Sequence, residues 1–233
     1  MAISIDTVYQ RVLALANKEQ RGYVTPQEFN LLAGQAQMEI FEQYFYDAKS
    51  EDRNVKNSTE FSNVDEMLDE KIAVFKRTEP IIINGNIGTL PRDLYRLGMV
   101  FTTYELLGEV EVEQLTEEEA IYVSSSPLTR PNKLFPAFVR NTETTIKIFT
   151  DSTLVVVDCN YITTPSVPNW GYVVVNEKAL YNPGPSVDFV LHKGDSAELV
   201  YKILSLAGIV MAKPGLGTYA EQQITAQKTQ EKQ

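Results

Sequence analysis

A single histidine, His192, and a single cysteine, Cys159, set narrow limits on the nucleophilic and metal chemistry open to this chain. Ser-His-Asp, Cys-His and His-Glu-x-x-His arrangements lack either their base or their further ligands. Cys159 alone allows neither an intrachain disulfide nor an all-cysteine metal site, and it reads as a small buried apolar group. His192 reads as a structural imidazole at a strand end. The sequence has no GxxxxGK[ST], GxSxG or GxGxxG, and Gly85-Asn86-Ile87-Gly88 is too short a loop to cradle a phosphate.

Carboxylates remain. With 31 Asp and Glu in the chain, some pair lies close in any fold, so hydrolysis by paired acids has no specific signal behind it. Asp65, Glu66, Asp69 and Glu70 sit at helical spacing and read as a solvated face; a calcium loop would need carbonyls and a glycine turn that are missing. In Glu109-Val110-Glu111-Val112-Glu113 the period of two puts three carboxylates on one face and two valines on the other. A half-exposed strand accounts for the pattern. The sharper reading is a negative wall facing a conduit, which needs an assembly. Trp170, after Pro165-Ser166-Val167-Pro168-Asn169, is either an aromatic lid over a β core or an exposed contact anchor.

These residues must be positioned by elements the sequence also marks. Apolar positions from Val8 to Ala16 predict a helix from about Asp6 to Lys18. Thr25-Pro26-Gln27-Glu28 is a capping box with proline at the first helical position, opening a helix to about Asp47 with Phe29, Leu32, Ala36, Ile40, Phe41, Tyr44 and Phe45 as its buried stripe. Tyr44-Phe45-Tyr46 predicts burial on more than one side. A third helix runs from Ser62 to near Arg77.

After Pro80 the period turns to strand. Ile81-Ile82-Ile83 meets an Asn84-Gly85-Asn86 turn, and residues 144–149 and 153–160 predict a hairpin about Asp151-Ser152. Thr116-Glu117-Glu118-Glu119 caps one short helix. Asp195-Ser196-Ala197-Glu198 opens a last helix, which stops at Lys213-Pro214-Gly215. Residues 214–233 are too polar to fold alone and read as a partner-docking arm, with Tyr219 and Ile224 as its apolar contacts. No βαβ alternation and no repeat is visible.

The class is therefore α+β, with a helical module over 1–80, a β-rich region over 81–194, a helix over 195–213 packing back on the module, and a flexible tail. The 21 basic and 31 acidic side chains give 21 − 31 = −10. That surface is not built to neutralise nucleic-acid phosphates, so DNA nearby would be repelled or passed along. The residues after Met1 show no secretory signal, and no run of apolar residues is long enough to span a bilayer, so the reading is a chain made in a cytoplasm with no membrane partner.

Two stretches resemble head-to-tail adaptors of short-tailed phages, the tail tubular protein A-like family that includes ring proteins of crAss-like phages. One is Val8 to Leu13 with Thr25 to Leu32. The other is Leu90-Pro91-Arg92-Asp93-Leu94-Tyr95-Arg96-Leu97, similar to the segment that leads into a strand in such adaptors. The resemblance implies a non-enzymatic virion protein without cofactor, forming a twelve-subunit ring under the portal. Its partners would be further copies of itself, the portal protein and neighbouring tail or ring proteins, and DNA would pass without specific binding. Glu109, Glu111 and Glu113 would then line the channel. Pro214, Gly215 and Gly217 make the arm hinged rather than one helix. The alternatives are a tail-associated receptor- or glycan-binding module, using loops at Trp170 and Pro183-Gly184-Pro185, and an acidic hydrolase with two carboxylates in one deep pocket.

Overall fold

Local signals and long-range packing share the work of building this chain. The computed structural model describes residues 2–18, 24–51, 59–104, 108–151, 156–210 and 222–226, with the side chains of 50–51, 59–65 and 209–210 left aside. In chain order the elements are α1 (Ile5–Lys18), α2 (Pro26–Glu51), α3 (Thr59–Ala73), β1 (Lys76–Pro80), β2 (Ile82–Asn84), β3 (Ile87–Thr89), β4 (Leu94–Tyr104), β5 (Gly108–Leu115), α4 (Glu117–Ser125), β6 (Ala137–Arg140), β7 (Thr145–Phe149), β8 (Val157–Thr163), β9 (Tyr172–Val175), β10 (Lys178–Tyr181) and α5 (Ser196–Val210). The fold is α+β. Contacts divide it into two units, Met1–Val74 with Pro165–Gln233, and Phe75–Thr164.

In the helical unit, α1 and α2 both pack on α5, and α3 packs on α2. The α2 box forms as its residue types dictate. Thr25 donates through its backbone N and its Oγ1 to Glu28 Oε2 at 2.9 and 2.8 Å, and Glu28 N donates back to Thr25 Oγ1 at 3.3 Å. Tyr9 and Val12 of α1, Phe29, Ile40 and Phe41 of α2, and Leu199 and Ile203 of α5 are buried, each contributing about 1.5–3 kcal/mol by leaving water. Phe45 is half-buried and Tyr46 exposed, so the aromatic end of α2 is buried on one side only.

Residues 165–194, expected within the β region, belong to the helical unit. Ile3 and Phe189 form an antiparallel bridge. The Gln37 amide, 1% exposed, donates to Ser166 O at 2.8 Å and accepts from Val190 N at 3.0 Å. The only sheet in this stretch is the β9–β10 hairpin, too small to hold a core of its own, so its large apolar groups go to the helices. His192 caps a 3-10 turn, Lys193–Asp195, rather than ending a strand; its Nδ1 accepts from Gly194 N at 3.3 Å.

The second unit is built on an eight-stranded sheet in the order β1-β8-β4-β5-β6-β7-β3-β2. Its core holds Ile81, Leu90, Val100, Val112, Phe138, Ile146, Ile148, Val157, Cys159 and Tyr161. The first strand begins at Lys76, before Pro80, because an edge strand can end on a residue that donates no ladder bond. β2 and β3 form the expected hairpin about Asn84-Gly85-Asn86, with Gly85 at φ 65°. β7 and β8 do not form one: β7 pairs with β6 and β3, and β8 with β1 and β4. β5 and β6 are parallel, with α4 in the crossover between them, so one βαβ unit exists where the sequence showed no such alternation.

Candidate functional site

The acidic strand is held by the pairing of β5 on β4, which sets Val100 opposite Val112, Phe101 opposite Glu111 and Thr103 opposite Glu109. Val112 is 2% exposed in the core, Val110 is half-buried, and Glu109, Glu111 and Glu113 are all exposed. The period-two pattern thus becomes one carboxylate face. Glu117, Glu118 and Glu119 follow in the first turn of α4, where the helix dipole favours negative charge. Glu119 also completes a capping box with Thr116, whose backbone N and Oγ1 donate to its Oε2 at 2.9 and 2.8 Å. Those bonds hold the Glu119 carboxyl below the usual carboxylate range.

At the β1 end of the sheet order lies a basic groove that the sequence reading missed. It is an open cleft of about 630 Å³ across β1, β8 and β4, lined by Lys76, Arg77, Arg96, Asn160 and Ile162 among others. Lys76 and Arg96 both stand opposite Ile162, from either side of β8. They are therefore on one face, with Cα atoms about 10 Å apart. Thr78 Oγ1 donates to Asn160 Oδ1 at 2.6 Å in the next row. Gly98 sits at a bulge of β4 so close to β8 that a Cβ would lie 2.9 Å from the Asn160 carbonyl oxygen. Charges on an edge strand such as β1 guard against edge-to-edge pairing; Arg96 lies two strands in and has no side-chain hydrogen bond or ion pair among the described residues.

The Leu90-Pro91-Arg92-Asp93 segment does lead into β4, and Asp93 clamps that strand's start to β8. It accepts from Thr163 Oγ1 at 2.7 Å and Tyr161 OH at 3.1 Å. The Thr163 bond is the main reason its carboxyl stays below the usual range; burial opposes, and the Tyr161 bond and Arg77 assist. A folded pKa below the unfolded value near 3.9 stabilises the fold above pH ~4, and the contribution is lost as pH falls through the folded value. Asp93→Asn should lower the melting temperature by a few degrees at neutral pH, and the gap to wild type should close in acid. A gap that stays constant from pH 7 to pH 3 would refute the clamp's electrostatic part. Burial pushes the Tyr161 hydroxyl up, with Asp93 adding to it.

No protein-family model matches the chain, and no curated protein is significantly similar to it.

Cys159 is buried, and its thiol is pushed up to about 11 by burial first and then by Glu79 and Asp158, so it stays protonated and unreactive. Trp170 is 2% exposed and packs against Tyr9 of α1 at 4.3 Å between ring centroids. It is neither a lid over the β core nor an exposed anchor. Three carboxyls, Glu28, Asp93 and Glu119, are held below their ordinary range, the direction of structural acceptors rather than of general acids near neutrality. Glu66, Asp69 and Glu70 are exposed on α3, and Glu70 lies 3.8 Å from His192 Nε2. Among the described residues no three His, Cys, Asp or Glu side chains converge to hold a metal ion, and no helix is long and apolar enough to cross a membrane. Of the arm, residues 222–226 are helical with Ile224 half-buried, while Tyr219 lies outside the described residues.

Proposed function

We propose that this chain is a structural subunit of a tailed-phage particle, forming a homo-oligomeric ring at the portal-to-tail junction that joins head to tail and surrounds the DNA path. The observation that carries the reading is apolar surface left open on both units. In the helical unit Val173, Val174, Val175 and Leu180 of the β9–β10 hairpin are 47–63% exposed. In the sheet unit Ile121, Tyr122, Leu128 and Phe135 are 70–95% exposed. Single exposed apolar groups are ordinary, but consecutive ones, as at Val173-Val174-Val175 and Ile121-Tyr122, favour surfaces that other chains cover.

The uniform carboxylate face of β5 gives the ring a use. Each phosphate held by a Lys or Arg would retain DNA through the term that dominates non-specific binding. Glu109, Glu111 and Glu113 keep the duplex off the wall within a Debye length, about 8 Å at physiological salt. The adaptor resemblance of residues 8–13, 25–32 and 90–97 supports the same position, with portal and tail proteins as neighbours above and below.

Negative-stain images of purified protein test the ring directly; a monomer at all concentrations would end the reading. Replacing Glu109, Glu111 and Glu113 by Lys should leave assembly intact and slow genome ejection several-fold or stall it. Unchanged ejection kinetics would remove these residues from the conduit.

A further inference from the structure

We infer that the basic groove across β1, β8 and β4 receives helix α4 of a second copy, so that each subunit grips the next through these two patches. The inference rests on the ring reading and adds to it the contact between subunits. Both patches belong to the sheet unit but lie toward opposite ends of its strand order. The groove occupies β1, β8 and β4, while α4 shares a cleft with Val139 of β6 and with Lys147 and Phe149 of β7. Two different surfaces on one chain make a heterologous contact, which propagates head to tail and closes into a ring when the rotation allows.

The chemistry of the patches is complementary. Glu117 and Glu118 are exposed in the first turn of α4, and neither enters the capping box that holds Glu119. Lys76 and Arg96 stand together on the Ile162 face of the groove, in a chain whose net charge is −10. One turn further on, Ile121 and Tyr122 are 70% and 72% exposed. The groove offers them half-buried Ile162, on the same face as Lys76 and Arg96. A nine-residue helix is about 14 Å long, enough to reach across the roughly 10 Å from β1 over β8 to β4. Nucleic acid is the weaker occupant, because the acidic surface around so few cations repels a polyanion.

The test uses the full chain at physiological salt, with mass photometry and sedimentation velocity as readouts. Wild type should form closed rings. K76E/R96E and E117K/E118K should each weaken self-association about tenfold or more, and the fourfold variant, which exchanges the charges of both patches, should recover it. All four side chains are exposed, so melting curves should stay near the wild-type value, with a small drop in E117K/E118K from cations at the start of α4; if a reversal melts early, K76Q/R96Q and E117Q/E118Q carry the same test. Rings that form equally well in both double variants would overturn this contact and leave the ring reading standing. Failure of the fourfold variant to recover would overturn the pairing of these two patches. A wild type that is monomeric throughout would overturn the ring reading and this contact together. Anisotropy with a short DNA duplex covers the remaining occupant: tight binding lost in K76E/R96E would make the groove a phosphate site and overturn the inference.

Discussion

Replacing Asp195 by Asn should cost the helical unit about 3–5 kcal/mol, the range for removing one partner of a buried ion pair. Lys71 Nζ lies 2.9 Å from Asp195 Oδ1, and the two side chains are 8% and 0% exposed. Tyr44 donates its hydroxyl to Asp195 Oδ2, and the Lys71 ammonium stands 5.8 Å over the Tyr44 ring. The group ties α2 and α3 to the turn that opens α5, and the aspartate expected to cap that helix points its oxygens at them instead. Asparagine can still accept from Tyr44 but leaves an ammonium buried without its counter-charge. The paired change Lys71→Met with Asp195→Leu removes both charges, and it should recover most of the loss if the apolar groups pack. Urea denaturation of the single and double variants decides it. A loss under about 1 kcal/mol for Asp195→Asn would mean that water reaches the pair in solution.

Trp170→Ala carries the other large effect, about 3–5 kcal/mol for emptying a buried aromatic site. The indole packs at 4.3 Å on Tyr9, with Tyr172 at 5.8 Å and Tyr181 at 5.9 Å, and donates from Nε1 to Asp6 Oδ1 at 3.0 Å. Asn30 fixes its backbone, accepting from Trp170 N at 2.7 Å and donating to its carbonyl at 3.2 Å. Trp170→Phe keeps most of the ring and loses the indole hydrogen bond, so it should cost less, about 1–3 kcal/mol. Because Trp170 is the only tryptophan, its emission reports the helical unit alone. Equal stability of the alanine variant and wild type would place the indole outside the packed interior.

What could be read in advance was local. The Thr25 and Thr116 boxes, the turn at Gly85 and the alternation along β5 depend on neighbours a few residues apart, and period and capping chemistry express them directly. Pairing partners depend on the whole sheet. The strands flanking Asp151 were recognisable as strands, yet nothing in their composition says that β8 belongs between β1 and β4. The boundary at Thr164 was hidden for a similar reason: Trp170 and Phe189 suit any apolar interior, and only their contacts with Tyr9 and Ile3 assign them. The groove was invisible because Lys76 and Arg96 sit on strands that meet only through Ile162. Lys71 and Asp195 lie farther apart still in sequence, and only the packing of α3 against the turn before α5 brings them together.

The sheet unit leaves and rejoins the chain at one place. β1 and β8 are antiparallel neighbours, and Thr163 N donates to Phe75 O at 3.0 Å, so the two crossing points are side by side. Removing residues 75–164 therefore asks the remaining chain to close only a short gap, which costs little entropy. The unit has the geometry of an exchangeable cassette. A lineage could trade one such insert for another, altering the surface that the sheet unit presents, without rebuilding the helical unit.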